Sequence, residues 1–566
     1  MLTLLTSQKC IIFLLPFCLV LGMSIPGRSQ SLKVPELQLP PDTPVISEKF
    51  AQQLEKLAPQ DKVKVWVYFT DKGFLDQKSY QSAINQTQSS LTSRARWRRS
   101  KTMKLDLVDY RDLPVNPAYI YQIMKFNASK RQKSKWLNAA SFEIPVGEFE
   151  KISGLSFVRS IKPVLGGKRK PISIKTLPEE NLPGKGLFAL NYGASYTQLQ
   201  QINIPAVHNL GYYGQGVIVC MMDSGFRKNH QAFQLAYTEG RVLAEWDFIN
   251  NDGNTQNETG DPSDQHNHGT MTWSALGGAS DGNLYGPAYG ASFILAKTED
   301  VSGETPIEED NWVAGMEWAD SIGADVISSS LGYIDWYVYS DLDGNTAVTT
   351  IAADIAAQRG IVVCNAMGNE GSGSGSLIAP ADADSIISCG AVNGSGSIAY
   401  FSSRGPTYDG RIKPEVCAQG VSTRCANPGG TTGYTYADGT SLSTPLIGGA
   451  AAVILSAHPS WTPMQVREAM MESGNHSSSP DNTYGWGIPD ILVAIQHSFY
   501  LTGDVTGEGV VNITDVIFLI NYLYKNGKAP SPLFLGDVNC DNEVNISDIV
   551  YLINYIYQNG TVPCSH

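Results

Sequence analysis

The stretch Val217-Ile218-Val219-Cys220-Met221-Met222-Asp223-Ser224-Gly225 is an apolar run that ends on a carboxylate and a glycine. A short apolar run of this kind predicts a buried strand. Similar runs follow at 325–330, 361–366 and 385–392, and longer helical patterns such as 311–322 lie between them. Strands that alternate with helices predict a parallel sheet with right-handed crossovers. Active groups in such a sheet gather beyond the carboxyl ends of its strands, which is where Asp223 stands.

Two further segments supply the groups that this carboxylate would work with. His268 is followed by Gly269-Thr270, and Ser441 lies within the segment Gly439-Thr-Ser-Leu-Ser-Thr-Pro445. An acid, a base and a hydroxyl nucleophile are the parts required for nucleophilic acyl transfer. Their chain order of Asp, His and Ser differs from the chymotrypsin order and from the α/β-hydrolase order.

Several other short motifs occur in a consistent order along the same part of the chain. They are Ser330-Leu331-Gly332, Gly368-Asn369-Glu370-Gly371, Ile412-Lys-Pro-Glu415 and Tyr484-Gly-Trp-Gly487. Together with the Asp, His and Ser segments, they resemble the subtilisin-like serine proteases, or subtilases, over about residues 192–497. The resemblance implies an α/β fold of three layers with a mostly parallel central sheet. It also implies an endopeptidase that hydrolyses peptide bonds in protein or peptide substrates through an acyl-enzyme.

The resemblance assigns a role to each motif. Ser441 would attack the scissile carbonyl, His268 would transfer the proton, and Asp223 would orient the imidazole. Asn369 would be the side-chain donor of the oxyanion hole, beside the backbone N–H of Ser441. The segment Ser330, Leu331 and Gly332 would pair with an extended substrate. The Thr-Pro pair after Leu442-Ser443 is typical of a helix that begins near the nucleophile.

Each of these residues also has a simpler interpretation. Asp223 taken singly is a turn or cap residue, Asn369 is a left-handed turn residue, and Ser441 is a helix N-cap. His266 is a second candidate for the base, but the Gly-Thr pair that follows His268 favours the latter. The ordered combination of motifs favours the catalytic interpretation.

Residues 1–29 predict a signal peptide. Lys9 precedes a nearly continuous apolar segment at 11–23, and small residues at 27–29 suit cleavage. No later segment is expected to be long and apolar enough to span a membrane. We therefore expect a secreted protein, extracellular or associated with the cell surface, with no membrane segment after signal cleavage.

Residues 30–190 differ from the catalytic region because they are rich in Lys and Arg, as in the basic run 94–101. The strand-helix-strand pattern at 140–163 resembles the end of a subtilase inhibitory propeptide. The resemblance implies a removable α+β domain that acts as the enzyme's own partner, and a mature N-terminus between Gly184 and Gln198. An accessory domain that stays attached remains an alternative. The basic run predicts a solvated helix face or a protease-sensitive stretch.

Residues 500–566 contain an internal repeat with a period of 33 residues, in which 503–515 is repeated at 536–548. Oxygen-bearing side chains at positions 1, 3, 5, 9 and 12 of each copy are typical of a calcium-binding loop. These predicted metal ligands are Asp504, Thr506, Glu508, Asn512 and Asp515 in the first copy, and Asp537, Asn539, Asp541, Asn545 and Asp548 in the second. Gly509 suits the sharp turn at position 6, and Asn542 replaces it in the second copy.

The repeat closely resembles a dockerin, a small all-α domain that binds cohesin modules. The resemblance implies calcium as the cofactor of the two loops and a cohesin-type scaffold as a partner. No cofactor is expected to be required for the hydrolytic chemistry. Such a domain either docks the enzyme on a scaffold or only stabilises its C-terminus, and both alternatives stay open.

Charge and cysteine content narrow the class of protein further. The chain has 54 acidic and 41 basic residues, and this net charge of −13 disfavours nucleic-acid binding. Cys220, Cys364 and Cys389 lie in apolar runs and are expected to be unpaired core residues. Two candidate disulfides remain, Cys417–Cys425 and Cys540–Cys564.

The sequence therefore predicts four parts: a signal peptide at 1–29, a propeptide at 30–190, a subtilisin-like catalytic domain at 191–499 and a dockerin-like domain at 500–566. The rival from another class is a non-catalytic adhesion or scaffold-docking protein that retains the fold. An esterase or lipase is a second rival, which the order of Asp223, His268 and Ser441 disfavours.

Overall fold

The computed structural model describes residues 45–103, 106–164, 173–175, 190–302, 309–333, 337–497, 501–558 and 560–564. The predicted signal peptide lies outside these residues. So does the first part of the segment predicted to hold the mature N-terminus, up to residue 189.

The N-terminal domain is an antiparallel sheet covered by helices. Its strands are β1 (Lys62–Phe69), β2 (Ser129–Ser134), β3 (Ala139–Pro145) and β4 (Val158–Pro163), paired in the order β2-β3-β1-β4. Its helices are α1 (Glu48–Leu54), α2 (Gln77–Ser90), α3 (Ser93–Ser100), α4 (Pro117–Met124) and α5 (Phe149–Ser153). The strand-helix-strand pattern predicted at 140–163 is confirmed as β3, α5 and β4.

The catalytic region begins with helices and then alternates strands with helices. Its helices are α6 (Tyr196–Gln201), α7 (Ile204–Asn209), α8 (Gln234–Thr238), α9 (Asn267–Gly277), α10 (Glu309–Ile322), α11 (Val348–Gln358), α12 (Thr440–Ala457), α13 (Pro463–Glu472) and α14 (Ile491–Ala494). Its strands, with the short β5 that precedes them, are β5 (Ser173–Lys175), β6 (Ile218–Asp223), β7 (Val242–Asp247), β8 (Ala279–Ser280), β9 (Leu284–Tyr285), β10 (Ser292–Lys297), β11 (Val326–Ser329), β12 (Val362–Ala366), β13 (Ile387–Val392), β14 (Val416–Gln419), β15 (Thr423–Ala426) and β16 (Tyr434–Asp438).

The central sheet has seven strands in the order β14-β13-β12-β11-β6-β10-β7, and every neighbouring pair is parallel. Side chains of β6 alternate between two cores, with Val219 and Met221 in one and Cys220 and Met222 in the other. Helices α12 and α13 contribute to the first core, and α10 and α11 contribute to the second. The predicted three-layer α/β fold is therefore confirmed.

Strand β6 marks the point at which the strand order reverses. The chain continues from β6 to β7 and β10 on one side, and then crosses to β11 on the other side. Ligands of open α/β sheets bind beyond the carboxyl ends of the strands at such a reversal. Asp223 is the last residue of β6, so the predicted acid stands at this point.

Helix α12 corrects one expectation about membranes. Among the described residues, it is the one helix long and apolar enough to cross a bilayer, whereas the sequence was expected to hold no such segment after residue 29. Its residues are 89% buried inside the protein, because α12 is the central helix of the first core.

The basic run 94–101 forms most of α3, and its prediction as a solvated helix face is wrong for Arg98 and Arg99, whereas Arg96 and Trp97 are exposed. Arg98 and Arg99 are completely buried, and both guanidinium groups donate to the carboxylate of Asp320 on α10. Arg99 also donates to Asp112 at 2.9 Å. Arg98 and Arg99 can be buried because Asp320 of the catalytic region, together with Asp112, neutralises them.

One of the two candidate disulfides forms. Cys540 and Cys564 are joined, with an S–S distance of 2.06 Å. The predicted Cys417–Cys425 pair is wrong, since both thiols are free and buried. The physical reason is that Cys417 lies on β14 of the central sheet and Cys425 lies on β15 of a separate three-stranded sheet.

The C-terminal domain consists of two loop-helix units, with helices α15 (Ile513–Tyr524) and α16 (Ile546–Gln558). Leu519 and Leu552 are fully buried between them. Gly509 and Asn542 adopt φ angles of +83° and +67°, so both copies make the left-handed turn expected at position 6.

Candidate active site

The predicted acid and base are in direct contact. His268 is the second residue of α9, and its Nδ1 lies 2.5 Å from Oδ1 of Asp223. A carboxylate only accepts hydrogen bonds, so Nδ1–H donates and the proton-free nitrogen of a neutral ring is Nε2. Asp223 and His268 are 1% and 3% exposed, so this pair interacts in a medium of low dielectric constant.

The carboxylate of Asp223 is fixed from two other directions. The backbone N–H of Ser224 donates to Oδ1 at 2.7 Å, and the hydroxyl of Thr272 donates to Oδ2 at 2.9 Å. Thr272 stands one helical turn after His268, so α9 supplies both the base and a group that orients the acid. We did not identify Thr272 from the sequence, although its spacing of four residues from His268 was a usable signal.

His266, the alternative base, has a different environment. Its Nδ1 accepts a hydrogen bond from the backbone N–H of Asn257 at 3.2 Å. Burial, with a contribution from the cations of Arg227 and Lys297, lowers the pKa of His266 to about 4. His266 is therefore neutral at ordinary pH, and the prediction of His268 as the base is the one that the geometry favours.

Ser441 is the second residue of α12, directly after the turn at Gly439. Its hydroxyl donates to the backbone carbonyl of Ser330 at 3.3 Å, and the Ser330 hydroxyl donates to the carbonyl of Ser441 at 2.9 Å. This reciprocal pair ties the end of β11 to the first turn of α12. Gly439 has a φ angle of +149°, a conformation open to glycine that lets the chain turn into the helix.

Helices α9 and α12 run side by side in the same direction. Leu442 of α12 shares an apolar cluster with Met271 and Ala275 of α9. Further along, the two helices approach closely at Gly448, where an added Cβ would lie 3.2 Å from Leu276 Cδ1. This packing places the first turns that carry His268 and Ser441 next to each other. Nε2 of His268 has no hydrogen-bond partner among the described residues, so the bond between base and nucleophile is not formed. Catalytic hydrogen bonds often form only when substrate binds.

Asn369 faces the turn before Ser441. Its Oδ1 accepts hydrogen bonds from the N–H and the hydroxyl of Thr440 at 2.9 and 3.0 Å. These two bonds fix the orientation of the Asn369 side-chain amide. Its Nδ2 lies 3.7 Å from the position that a Cβ would occupy at Gly439. The positive φ angles in this motif belong to Gly368, at +111°, and Gly371, at +92°, and not to Asn369.

The predicted substrate segment follows directly after β11 and leads to an isolated bridge between Tyr333 and Ala379. The N–H of Tyr333, the residue after Gly332, donates to Ala379 at 2.8 Å, which fastens the end of the segment. A Cβ at Gly332 would lie 2.2 Å from Cδ1 of Ile378, so a larger residue here would displace the Ile378 side chain. Leu331 is 3% exposed, and its backbone carbonyl accepts a hydrogen bond from Asn365 Nδ2 at 3.0 Å, so pairing of this segment with a substrate stays a prediction.

Two acidic groups near the acid-base pair were not predicted from the sequence. Glu299 is fully buried, and one of its carboxylate oxygens lies within 4.8 Å of both a ring nitrogen of His268 and a carboxylate oxygen of Asp223. Asp247, Asp252 and Glu258 form a second group, with oxygen atoms that also lie within 4.8 Å of one another. The ammonium of Lys297 lies 2.8 Å from Asp247, so a lysine supplies the positive charge at the second group.

The two predicted calcium loops are folded around their first and last carboxylates. Asp504 accepts hydrogen bonds from the N–H groups of residues 507, 508 and 509, and Asp515 accepts from Thr506 and Asn512. In the second loop, Asp537 accepts from residues 541 and 542, and Asp548 accepts from 538 and 545. These four carboxylates are 0–5% exposed. Closely spaced buried carboxylates with neutral partners suit a divalent cation, so the residues fit calcium.

The remaining predicted ligands differ in what they contact. Glu508 accepts from Asn512 Nδ2 at 2.6 Å, and Asn539 Nδ2 donates to Asp541 at 3.0 Å. Asn512 and Asn545 each use Oδ1 to accept a backbone N–H at the start of the following helix. The position-9 side chains therefore cap α15 and α16.

Comparisons with known proteins give a consistent result. A model of the Subtilase family matches residues 214–487, a model of the peptidase S8 propeptide domain of Bacteroidota matches 64–176, and a model of the dockerin type I domain matches 502–560. Subtilisin E of Bacillus subtilis is 34% identical over 353 residues, which are 62% of this chain and 82% of that protein. Subtilisin of Bacillus pumilus is 35% identical over 53% of this chain and 98% of its own length.

A solved structure shows the same fold. Fervidolysin from Fervidobacterium pennivorans, a keratinolytic enzyme related to subtilisin, superimposes with a TM-score of 0.55 at 18% sequence identity. The match covers 79% of this chain and 64% of the fervidolysin chain. Taken with the subtilisin relatives, these findings show that the chain belongs to the subtilase family of serine peptidases, with a propeptide domain before the catalytic domain and a dockerin type I domain after it.

Proposed function

We propose that this protein is exported as a self-inhibited precursor and that the mature enzyme cleaves proteins through an acyl-enzyme on Ser441. The observation that carries this proposal is the buried Asp223–His268 pair beside the first turn of α12. An imidazole whose Nδ1–H is held by a carboxylate presents a basic Nε2, as a general base requires.

The site contains a residue suited to each step of the proposed reaction. Nε2 of His268 takes the proton from Ser441 Oγ as that oxygen attacks the scissile carbonyl, and Asp223 stabilises the imidazolium that forms. Nδ2 of Asn369 and the N–H of Ser441 donate to the developing oxyanion, at the N-terminus of α12, where the helix dipole favours negative charge. His268 then protonates the leaving amine, and water releases the acyl group by the reverse sequence.

The N-terminal domain supports the self-inhibited precursor. It packs on α10, the helix whose buried residues also face the catalytic sheet. Trp66 and Trp136 share an apolar core with α10, and a set of ion pairs adds polar contacts. Arg131 lies 2.9 Å from Asp310, and Ser134 donates to Glu317 at 2.5 Å. Strand β5 pairs with β16, and β16 leads directly to Ser441, so residues 173–175 of the segment between the domains lie on the strand that precedes the predicted nucleophile. Cleavage of this linker would free the site.

The C-terminal domain would bind two calcium ions through the loops at 504–515 and 537–548 and would dock on a cohesin-type scaffold. The folded loops and their buried carboxylates support calcium binding. The Cys540–Cys564 disulfide supports export, because disulfides persist in oxidising compartments. The predicted signal peptide at 1–29 would direct this export.

Labelling with a fluorophosphonate tests the proposed chemistry. The reagent should modify the processed wild-type enzyme at Ser441, while Ser441→Ala and His268→Ala should remain unlabelled and unprocessed. Ser443→Ala is the matched control, because its hydroxyl only donates to the carbonyl of Thr440 within α12. Equal labelling of wild type and Ser441→Ala, or none of the wild type, would favour the non-catalytic docking protein.

A further inference from the structure

Glu299 is a buried carboxylate beside the Asp223–His268 pair and has no role in the three-residue mechanism. One of its oxygens lies within 4.8 Å of a ring nitrogen of His268 and of a carboxylate oxygen of Asp223. The side chain is fully buried. A carboxylate charge at this distance and depth would attract a protonated imidazole and repel the Asp223 carboxylate, because little water lies between the groups to screen them.

The position of Glu299 is set by the sheet. Strands β6 and β10 are parallel neighbours, with Asp223 opposite Lys297, and the N–H of Thr298 donates to the carbonyl of Asp223 at 2.9 Å. Glu299 is the next residue. The sheet therefore brings a second carboxylate to the strand end that holds the acid.

Gln265 fixes the same arrangement from the other side. Its Nε2 donates to the carbonyl oxygens of Ser224 and Glu299, both at 2.6 Å, and its Oε1 accepts from the N–H of Val301 at 3.0 Å. Gln265 is 1% exposed and uses both ends of its amide for these contacts. The loops after β6 and β10 are thus joined, and the Glu299 backbone has little freedom to move away.

We propose that Glu299 is a positioning residue of the proteolytic reaction, a second counter-ion that stabilises the imidazolium of His268 while that ring holds the serine proton. This inference rests on the proposed triad. Asp223 accepts the hydrogen bond from Nδ1–H, and the proposed role of Glu299 is exerted through the charge of its carboxylate on the ring.

Other charged groups at this end of the sheet come from the neighbouring elements. The charges of Arg227, Lys297 and Asp261 act on the nearby His266, and Asp247 on β7 pairs with Lys297 on β10. Lys297 is neutralised by Asp247 and Asp261 at 2.8 and 2.7 Å. Its charge therefore offsets little of the field that Glu299 exerts on His268.

The consequence is a shift in the pH at which the base loses its proton. A negative charge near the imidazole favours the protonated ring and raises its pKa. Replacement of Glu299 by neutral Gln removes that charge, so the pKa of His268 should fall. The acid limb of the activity profile should move to lower pH by about one unit, with a maximal rate about tenfold lower.

The test is the second-order rate of fluorophosphonate labelling of the processed full-length enzyme as a function of pH. This readout follows the basicity of His268 and needs no knowledge of substrate preference. The variants are Glu299→Gln, Glu299→Asp, which keeps the charge, and Glu239→Gln, a surface control whose carboxylate pairs with Arg241. Glu299→Gln should show the lower midpoint, whereas Glu299→Asp and Glu239→Gln should keep the wild-type midpoint.

Several outcomes would overturn the proposal. A rate that falls equally at every pH in Glu299→Gln, with no change in midpoint, would mean that Glu299 is only structural. If Glu299→Gln does not fold, the wild-type enzyme still provides a test. A midpoint of its labelling profile below about 6.5, the ordinary pKa of histidine, would exclude a stabilised imidazolium. Absence of labelling in the wild type at any pH would instead defeat the triad itself.

Discussion

Ser330 and Ser441 hold each other through two reciprocal hydrogen bonds, each made from a hydroxyl to the other residue's backbone carbonyl. The shorter bond, of 2.9 Å, runs from the Ser330 hydroxyl to the carbonyl of Ser441. The longer bond, of 3.3 Å, holds the Ser441 hydroxyl in the absence of substrate. These two bonds hold Ser330, at the start of the predicted substrate segment, directly against Ser441, the predicted nucleophile.

Substitution of Ser330 by alanine should therefore affect turnover more than binding. It removes the 2.9 Å bond that fixes the Ser441 backbone, and one such bond contributes about 1 kcal/mol. We expect kcat to fall about fivefold with KM nearly unchanged, measured on a peptide substrate. Ser395→Ala, on an exposed loop, should match wild type. A rise in KM at constant kcat would contradict this expectation.

Asn369→Ala should remove the side-chain donor to the oxyanion. The loss of one such donor costs about 3 kcal/mol in the transition state, so kcat should fall by two to three orders of magnitude at similar KM. Asn365→Ala is not a suitable control, since that buried amide donates to the carbonyls of Leu331 and Ala366. Asn345→Ala, on an exposed turn, is suitable. A loss below tenfold in Asn369→Ala would show that Asn369 is a structural residue.

Asp320→Asn should weaken the attachment of the propeptide domain. Burial opposes ionisation of Asp320, but the cations of Arg98 and Arg99 lower its pKa to about 2. Removal of the charge leaves the buried guanidinium of Arg98 without its carboxylate and leaves Arg99 with Asp112 alone, which costs about 3 kcal/mol or more.

Urea unfolding of the Ser441→Ala precursor measures this effect. The midpoint should fall in Asp320→Asn and should change little in Asp409→Asn, whose pair with Arg411 is exposed and contributes less than about 1 kcal/mol. Similar shifts in the two variants would show that the buried ion pairs are no stronger than surface ones.

The stability of the catalytic domain should decrease as the pH rises from about 4 to about 7 because of Asp354. Burial, with the nearby carboxylate of Asp384, raises the pKa of Asp354 to about 7. The folded chain holds this proton where the unfolded chain has lost it. The stabilisation is therefore complete below about pH 4 and is lost as the pH rises through about 7.

Asp354→Asn should remove this dependence while it keeps an acceptor for the N–H of Ser385, which lies 2.9 Å from the Asp354 carboxylate. In the Ser441→Ala background, the variant should match wild type near pH 4 and be more stable at pH 9 by about 2 kcal/mol, after an allowance for partial exposure. Thermal melting at several pH values measures the difference. A variant that is less stable at pH 9 would refute the raised pKa.

Removal of calcium should loosen only the C-terminal domain. Hydrogen exchange at 503–515 and 536–548 should slow on addition of calcium and accelerate with a chelator, because the buried carboxylates repel one another without the cation. The double variant Asp515→Asn, Asp548→Asn should lose the response, while exchange in the central sheet stays constant. Calcium-independent exchange in both loops of the wild type would exclude the metal site.

The sequence alone determined the elements whose signals are local in the chain. The apolar run before Asp223 identified a strand of the parallel sheet, and the 33-residue repeat identified two loop-helix units with their left-handed turns at Gly509 and Asn542. Such features depend on the spacing of neighbouring residues, which the sequence displays directly. The order of Asp223, His268 and Ser441 also indicated the family.

Only the tertiary structure decided which distant groups meet. Arg98 looked like a solvated charge but is buried against Asp320, and Cys417 and Cys425, close in sequence, lie in different sheets. The Glu299 carboxylate is near His268 because β6 and β10 are neighbours in a sheet whose strand order is not the chain order. The spacing of charged residues and cysteines along the chain does not reveal which residues they contact. Long-range packing alone sets their surroundings.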